Sequence, residues 1–189
     1  MRRTLLDFWE ANKDKAQPFD WLRGRTLSEA FVICIGAGPW KFNRRKTIQG
    51  QALARLAKRD ISQIETNIDW YPLDWQNNFT HTAVKNLKTQ NVSFDIFCKN
   101  TSLSKLQDLV GTKTKPKVIS LFCRDALKIP SFPIDRHVRR KLIELGLPAN
   151  EEEMIRLCIS LDIDPRAVAV AFVRTASDMD NPDWSVNDC

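Results

Sequence analysis

The stretch that decides the reading of this chain runs Ser102-Leu-Ser-Lys-Leu-Gln-Asp-Leu-Val-Gly111-Thr-Lys-Thr-Lys-Pro-Lys117-Val-Ile-Ser-Leu-Phe-Cys-Arg124, followed by Phe132-Pro-Ile-Asp135-Arg-His-Val-Arg-Arg-Lys-Leu142. Leu103, Leu106, Leu109 and Val110 recur at helical steps and stop at Gly111, a residue suited to the turn that closes a helix. A lysine-rich turn follows, and Pro116 opens a second, apolar helix. Backbone N–H groups at such a turn, with the positive end of the next helix behind them, can hold a phosphate without reading base sequence. Lys117 falls in the first turn of that helix, where the dipole opposes a protonated amine; a neutral lysine is a nucleophile. Asp135, 18 residues later, precedes an amphipathic helix that ends at Gly146. Taken singly, Asp135 reads as an N-cap and a lysine in a basic turn as a phosphate contact. Their combination with the hairpin in one basic segment points to chemistry.

Outward from this segment the chain reads as all-α. Thr26-Leu-Ser-Glu29 is a capping box opening a helix over Leu27–Ile35. Helical spacing predicts further helices from about Arg45 to Lys58, with Ile48, Leu53, Ala54, Leu56 and Ala57, and over Phe79–Leu87, the latter followed by a polar loop. Asn150 with Glu153 caps Glu151–Ser160, and Asp164-Pro165 opens Arg166–Thr175. No segment sustains period-two alternation, and no repeat or low-complexity tract is present. Asp69–Trp75 is too aromatic and proline-broken for regular structure. Phe31-Val-Ile-Cys-Ile-Gly-Ala-Gly38 imitates the glycine turn of a dinucleotide fold, but Lys41 stands where the third glycine belongs and no second βα unit follows.

At 189 residues the chain reads as a single domain, 1–189, with room for two lobes and a core that needs no disulfide staples. Hydrophobic residues make up 43% and charged residues 28%, which excludes wholesale disorder. No apolar run approaches the ~18 residues of a membrane span, and the N-terminus lacks a signal-peptide core, so a cytoplasmic protein is expected. Five widely spaced cysteines (34, 98, 123, 158, 189) do not form a clustered zinc or iron–sulfur pattern and read as buried thiols. Lys and Arg total 29 against 23 Asp and Glu, a net +6 that suits a polyanion. The excess is concentrated in Lys41–Lys46, in five lysines between Lys99 and Lys117, and in Arg136–Lys141, while 178–189 carries four aspartates and no Lys or Arg. Such asymmetry suits a face that tracks phosphates and an acidic reverse side.

On these residues the chain resembles the helix-hairpin-helix DNA glycosylases of the endonuclease III superfamily, and within it the archaeal GO glycosylases, which are 8-oxoguanine glycosylase/lyases. The likeness is firm over 102–146, looser to 177 and limited to helix order before that. It implies two helical lobes with the active site in the cleft between them and a hairpin at about 102–126. It also implies a Schiff-base lysine at Lys117 and the family's aspartate at Asp135. Ungapped alignment to the broader family would put the lysine at Lys115, but Lys115 precedes Pro116 and is biased away from helical geometry, so it is the alternate. Lys113 replaces a second hairpin glycine common in the superfamily, and the iron–sulfur loop of some relatives is absent. Gly111, Thr112, Lys113, Thr114, Arg136, His137 and Arg139 are the expected phosphate contacts, with Arg140 open to the same role. Trp40 and Phe172 are candidate base-pocket aromatics, with Trp70 and Trp75 as alternatives.

The resemblance implies a protein, expected as a monomer, acting on double-stranded DNA that contains a damaged base. The base is extruded, Lys117 attacks C1′, and an imine with the opened sugar precedes elimination of the 3′ phosphate. Asp135 would keep the lysine neutral and stabilise cationic sugar character. No metal or cofactor is required, though the hairpin leaves room for a monovalent cation. An oxidised purine, with 8-oxoguanine first, is the expected substrate. The alternatives are a same-fold glycosylase for another damaged, deaminated or mismatched base, or a non-catalytic hairpin module that only binds DNA.

Overall fold

A computed structural model describes residues 1–36, 60–63, 74–111 and 117–176; for Asp74–Phe79, Gly36 and His81 it describes the backbone alone. The described helices, in chain order, are α1 (Arg2–Asn12), α2 (Leu27–Gly36), α3 (Asp74–Gln90), α4 (Phe94–Lys99), α5 (Leu103–Leu109), α6 (Lys117–Phe122), α7 (Arg136–Glu144), α8 (Glu151–Ile159) and α9 (Pro165–Ala176). Single 3₁₀ turns occupy Lys13–Lys15 and Ile61–Gln63, and a π-turn over Cys123–Leu127 follows α6. No strand occurs among the described residues, in line with the all-α reading. The chain divides into two compact units, one built from 1–21 and 123–189, the other from 22–122.

In the second unit α2 is the central element. Ala30 through Ile35 are all buried, so the helix is apolar on every side and packed all round. Its capping box forms as the sequence dictates: the Glu29 side chain accepts from the Thr26 amide at 2.9 Å, and the Thr26 hydroxyl accepts from the Glu29 amide at 3.2 Å. Phe31 meets Phe94 at 5.0 Å and the edge of Phe122 at 5.3 Å between ring centroids, so α2, α4 and α6 close one aromatic core. Asp60 orders the start of α4 from a distance: its carboxylate accepts from the amides of Ser62, Phe94 and Asp95. Burial alone would raise the Asp60 pKa, but hydrogen bonds from the Ser62 side chain and from these amides hold it below the ordinary carboxylate value.

The other unit packs α1, α7, α8 and α9 around Phe172, which is fully buried, lies stacked on Phe8 at 3.9 Å and meets Phe132 edge-on at 5.8 Å. Its helix ends are the predicted ones. Gly146 adopts φ +65° and closes α7, with the Leu147 amide returning to the Leu142 carbonyl at 2.8 Å. Asn150 accepts from the amides of Glu152 and Glu153 to start α8. Asp164 accepts from the Arg166 amide at 2.9 Å, with Pro165 as the first residue of α9.

Two expectations need correction. The helix expected over Phe79–Leu87 extends over Asp74–Gln90, so Asp74 and Trp75 are helical where irregular structure was expected. The loop expected after it contains α4, a six-residue helix capped by Ser93. Both stretches are short, about a turn and a half of helix each, and Asp60 supplies part of the α4 cap from across the unit, which no local pattern shows. The helix expected over Arg45–Lys58, the stretch 69–73 and the acidic tail 178–189 lie outside the described residues.

No helix among the described residues is long and apolar enough to cross a membrane. Cys34, Cys98, Cys123 and Cys158 are buried thiols, and burial pushes those of Cys98 and Cys158 up to about 12.

Candidate functional site

The hairpin glycine is where the local sequence requires it. Gly111 ends α5 with φ +69°, and its amide donates to the Asp108 carbonyl at 3.0 Å. A Cβ there would stand 2.9 Å from Cγ2 of Thr82 on α3, so both the backbone angle and the space demand glycine. Asn86, one turn along α3, donates to the Leu109 carbonyl at 2.8 Å and holds the end of α5 in place. Thr112, Lys113, Thr114, Lys115 and Pro116 lie outside the described residues, as does Trp40. Lys117 is the first residue of α6 and is half-buried, while Val118 through Phe122 behind it are buried.

In the other unit, Asp135 is half-buried and caps α7: its Oδ1 accepts from the amides of His137 and Val138, both at 2.9 Å. The approach to it is fixed by Glu151, itself buried, whose Oε1 accepts from the Phe132 amide at 2.8 Å. Arg136, Arg139 and Arg140 are exposed on α7, whose opposite face buries Val138 and Leu142. Arg136 Nε donates to His137 Nε2 at 3.0 Å, which makes that ring nitrogen an acceptor and places the imidazole with the arginine. Arg140 and Lys141 lie 3.7 and 3.3 Å from Glu144, so the outermost charge of this helix is partly balanced, while Arg136 and Arg139 meet no carboxylate among the described residues.

Phe172 does not take the pocket role expected of it. Its ring is fully buried between Phe8 and Phe132, and a base could stack on it only by displacing that core. None of the sequence-predicted residues lines the cavity of about 470 Å³ bordered by Val92, Phe97, Lys105 and Leu109. Among the described residues no group of His, Cys, Asp and Glu has the makings of a metal site.

One arrangement escaped the sequence reading. Arg124 and Asp125, adjacent in the π-turn, form a buried two-pronged ion pair with Nε–Oδ1 at 2.6 Å and Nη2–Oδ2 at 2.9 Å. Trp21 donates its indole N–H to the same Oδ2 at 2.8 Å, across 104 residues of sequence. The available signal was a charged pair embedded in an apolar run from Val118 onward, since such charges enter an interior only when paired.

Compared with known proteins, the chain matches no family model, no curated protein and no solved structure.

Proposed function

We propose that this protein is a DNA glycosylase with AP lyase activity that removes an oxidised purine, 8-oxoguanine first among candidates, with Lys117 as nucleophile and Asp135 as its assisting carboxylate. The observation that carries the reading is Gly111 closing α5 in the left-handed turn, with a half-buried Lys117 six residues later at the head of α6. A glycine-closed helix end followed in sequence by a helix start suits a phosphate of the DNA backbone, and a lysine at the helix head sits where positive charge is disfavoured. Asp135 stands where the resemblance puts the family's aspartate, at the head of α7, whose first amides it caps. Arg136 and Arg139, exposed beside it, suit further phosphate contacts.

In this reading the neutral amine adds to C1′ of the extruded nucleotide and the base departs. The resulting imine makes the C2′ proton acidic enough for loss of the 3′ phosphate. The test is borohydride trapping on duplexes that each carry one lesion. The wild-type chain is expected to form a covalent adduct with an 8-oxoguanine duplex, and Lys117→Gln to form none. An undiminished adduct in that variant would refute the assignment of Lys117 and turn attention to Lys115→Gln. Asp135→Asn should cut the trapping rate while leaving thermal stability nearly unchanged, because asparagine caps helices about as well as aspartate. A chain that binds duplex with a steep salt dependence but traps on no lesion is a hairpin binding module instead.

A further inference from the structure

The cavity of about 470 Å³ lies between α4 and α5, on residues that neither the lysine chemistry nor the α7 arginines use. Its floor is apolar, formed by half-buried Val92 and Phe97 and by buried Leu109. Its rim carries Ile96, a large apolar side chain left 56% exposed. Five of the eight lining residues are exposed, so the cavity is a broad surface groove. That shape suits a protein surface better than a small molecule, which a ligand pocket covers almost completely.

The α5 wall of the groove carries two opposite charges that the fold leaves unpaired. Lys105 and Asp108 stand one helical turn apart, and both line the groove. Lys105 Nζ donates to the Asn100 carbonyl at 3.0 Å and meets no carboxylate among the described residues. Asp108 meets no cation among them, and the two do not pair with each other. The ammonium keeps two further donors, and the carboxylate is open to accept. Single surface charges of this kind are ordinary; these two share one groove with an apolar floor and an exposed isoleucine. The patch is neutral on balance, and its carboxylate turns away a phosphate backbone or a strongly acidic segment. Its complement is a lysine and an aspartate one turn apart in the opposite order. A second copy presents that arrangement when its α5 runs antiparallel, because contacts about a two-fold axis are isologous and each pair occurs twice.

We propose that this groove is a self-association surface: two copies meet about a two-fold axis with their α5 helices antiparallel. Lys105 of each copy then faces Asp108 of the other, and Ile96 of each covers the apolar floor of the other. Such a dimer departs from the monomer that the resemblance implies. The inference stands apart from the proposed glycosylase activity, since none of its residues is assigned to DNA or to the reaction.

Sedimentation velocity of the full chain, without DNA, tests this. The mass should rise from 21.8 kDa towards twice that value as concentration increases. Lys105→Glu and Asp108→Lys each set two like-charge pairs across the axis, and each should weaken the dimer about tenfold or more. Neither change endangers folding. A glutamate at 105 completes a capping box with Ser102, which caps α5, and a lysine near the end of α5 suits the helix dipole. Mixed together, the two variants carry complementary charges and should form a heterodimer as tight as the wild-type dimer. One chain carrying both changes should regain self-association in the same way. A wild-type chain that stays monomeric at every concentration overturns the proposal. So does a dimer that both single variants form as tightly as wild type, or a mixture of the two variants that stays monomeric.

Discussion

Replacing Gly111 by alanine is a direct probe of the hairpin, because two separate costs can be read from the structure. The backbone at Gly111 holds φ +69°, and an L-residue in that region costs roughly 1–2 kcal/mol. In addition, the new Cβ would stand 2.9 Å from Thr82 Cγ2, inside any normal carbon–carbon contact, and overpacking of this kind typically costs about 1–3 kcal/mol. Gly111→Ala should therefore destabilise the protein by about 2–5 kcal/mol in urea unfolding. The two costs separate in a double-mutant cycle. Thr82→Ser deletes Cγ2 alone, so the glycine substitution in that background should cost only the backbone part, about 1–2 kcal/mol, with a favourable coupling of similar size. Refutation would be an equal cost in both backgrounds, meaning that no contact exists, or a cost below about 0.5 kcal/mol, meaning that the left-handed turn itself is absent.

Phe172→Ala should lower stability by about 3–5 kcal/mol, since a fully buried ring stacked on Phe8 and edge-on to Phe132 is removed; a variant of normal Tm with impaired base release would restore Phe172 to a pocket role. Asp60 has a folded pKa below its unfolded value, so the stability it contributes is present above the ordinary carboxylate pKa near 4 and is lost as pH falls through the lower, folded one. Tm measured from pH 6 down to 3 should accordingly drop more steeply in wild type than in Asp60→Asn, and parallel profiles would show that the carboxylate does not hold the start of α4.

Helix caps were legible because capping is chemistry within four residues of chain. Thr26 with Glu29, Asp135, Asn150 and Asp164 each accept the amides that their spacing predicts, and Gly111 and Gly146 each take the left-handed angle that ends a helix. Those features, with helical periodicity, were enough for an all-α chain and for placing Lys117 at a helix start. Other features depend on partners far away in sequence, which no local pattern encodes. The start of α4 depends on Asp60, 34 residues before Phe94. The aromatic at Phe172 is core and not pocket because Phe8 reaches it from α1. The Arg124–Asp125 pair tolerates burial because Trp21 arrives from 104 residues away. Backbone hydrogen-bonding needs are met locally and can be read along the chain, whereas burial and the partnering of charge are settled only when distant segments meet.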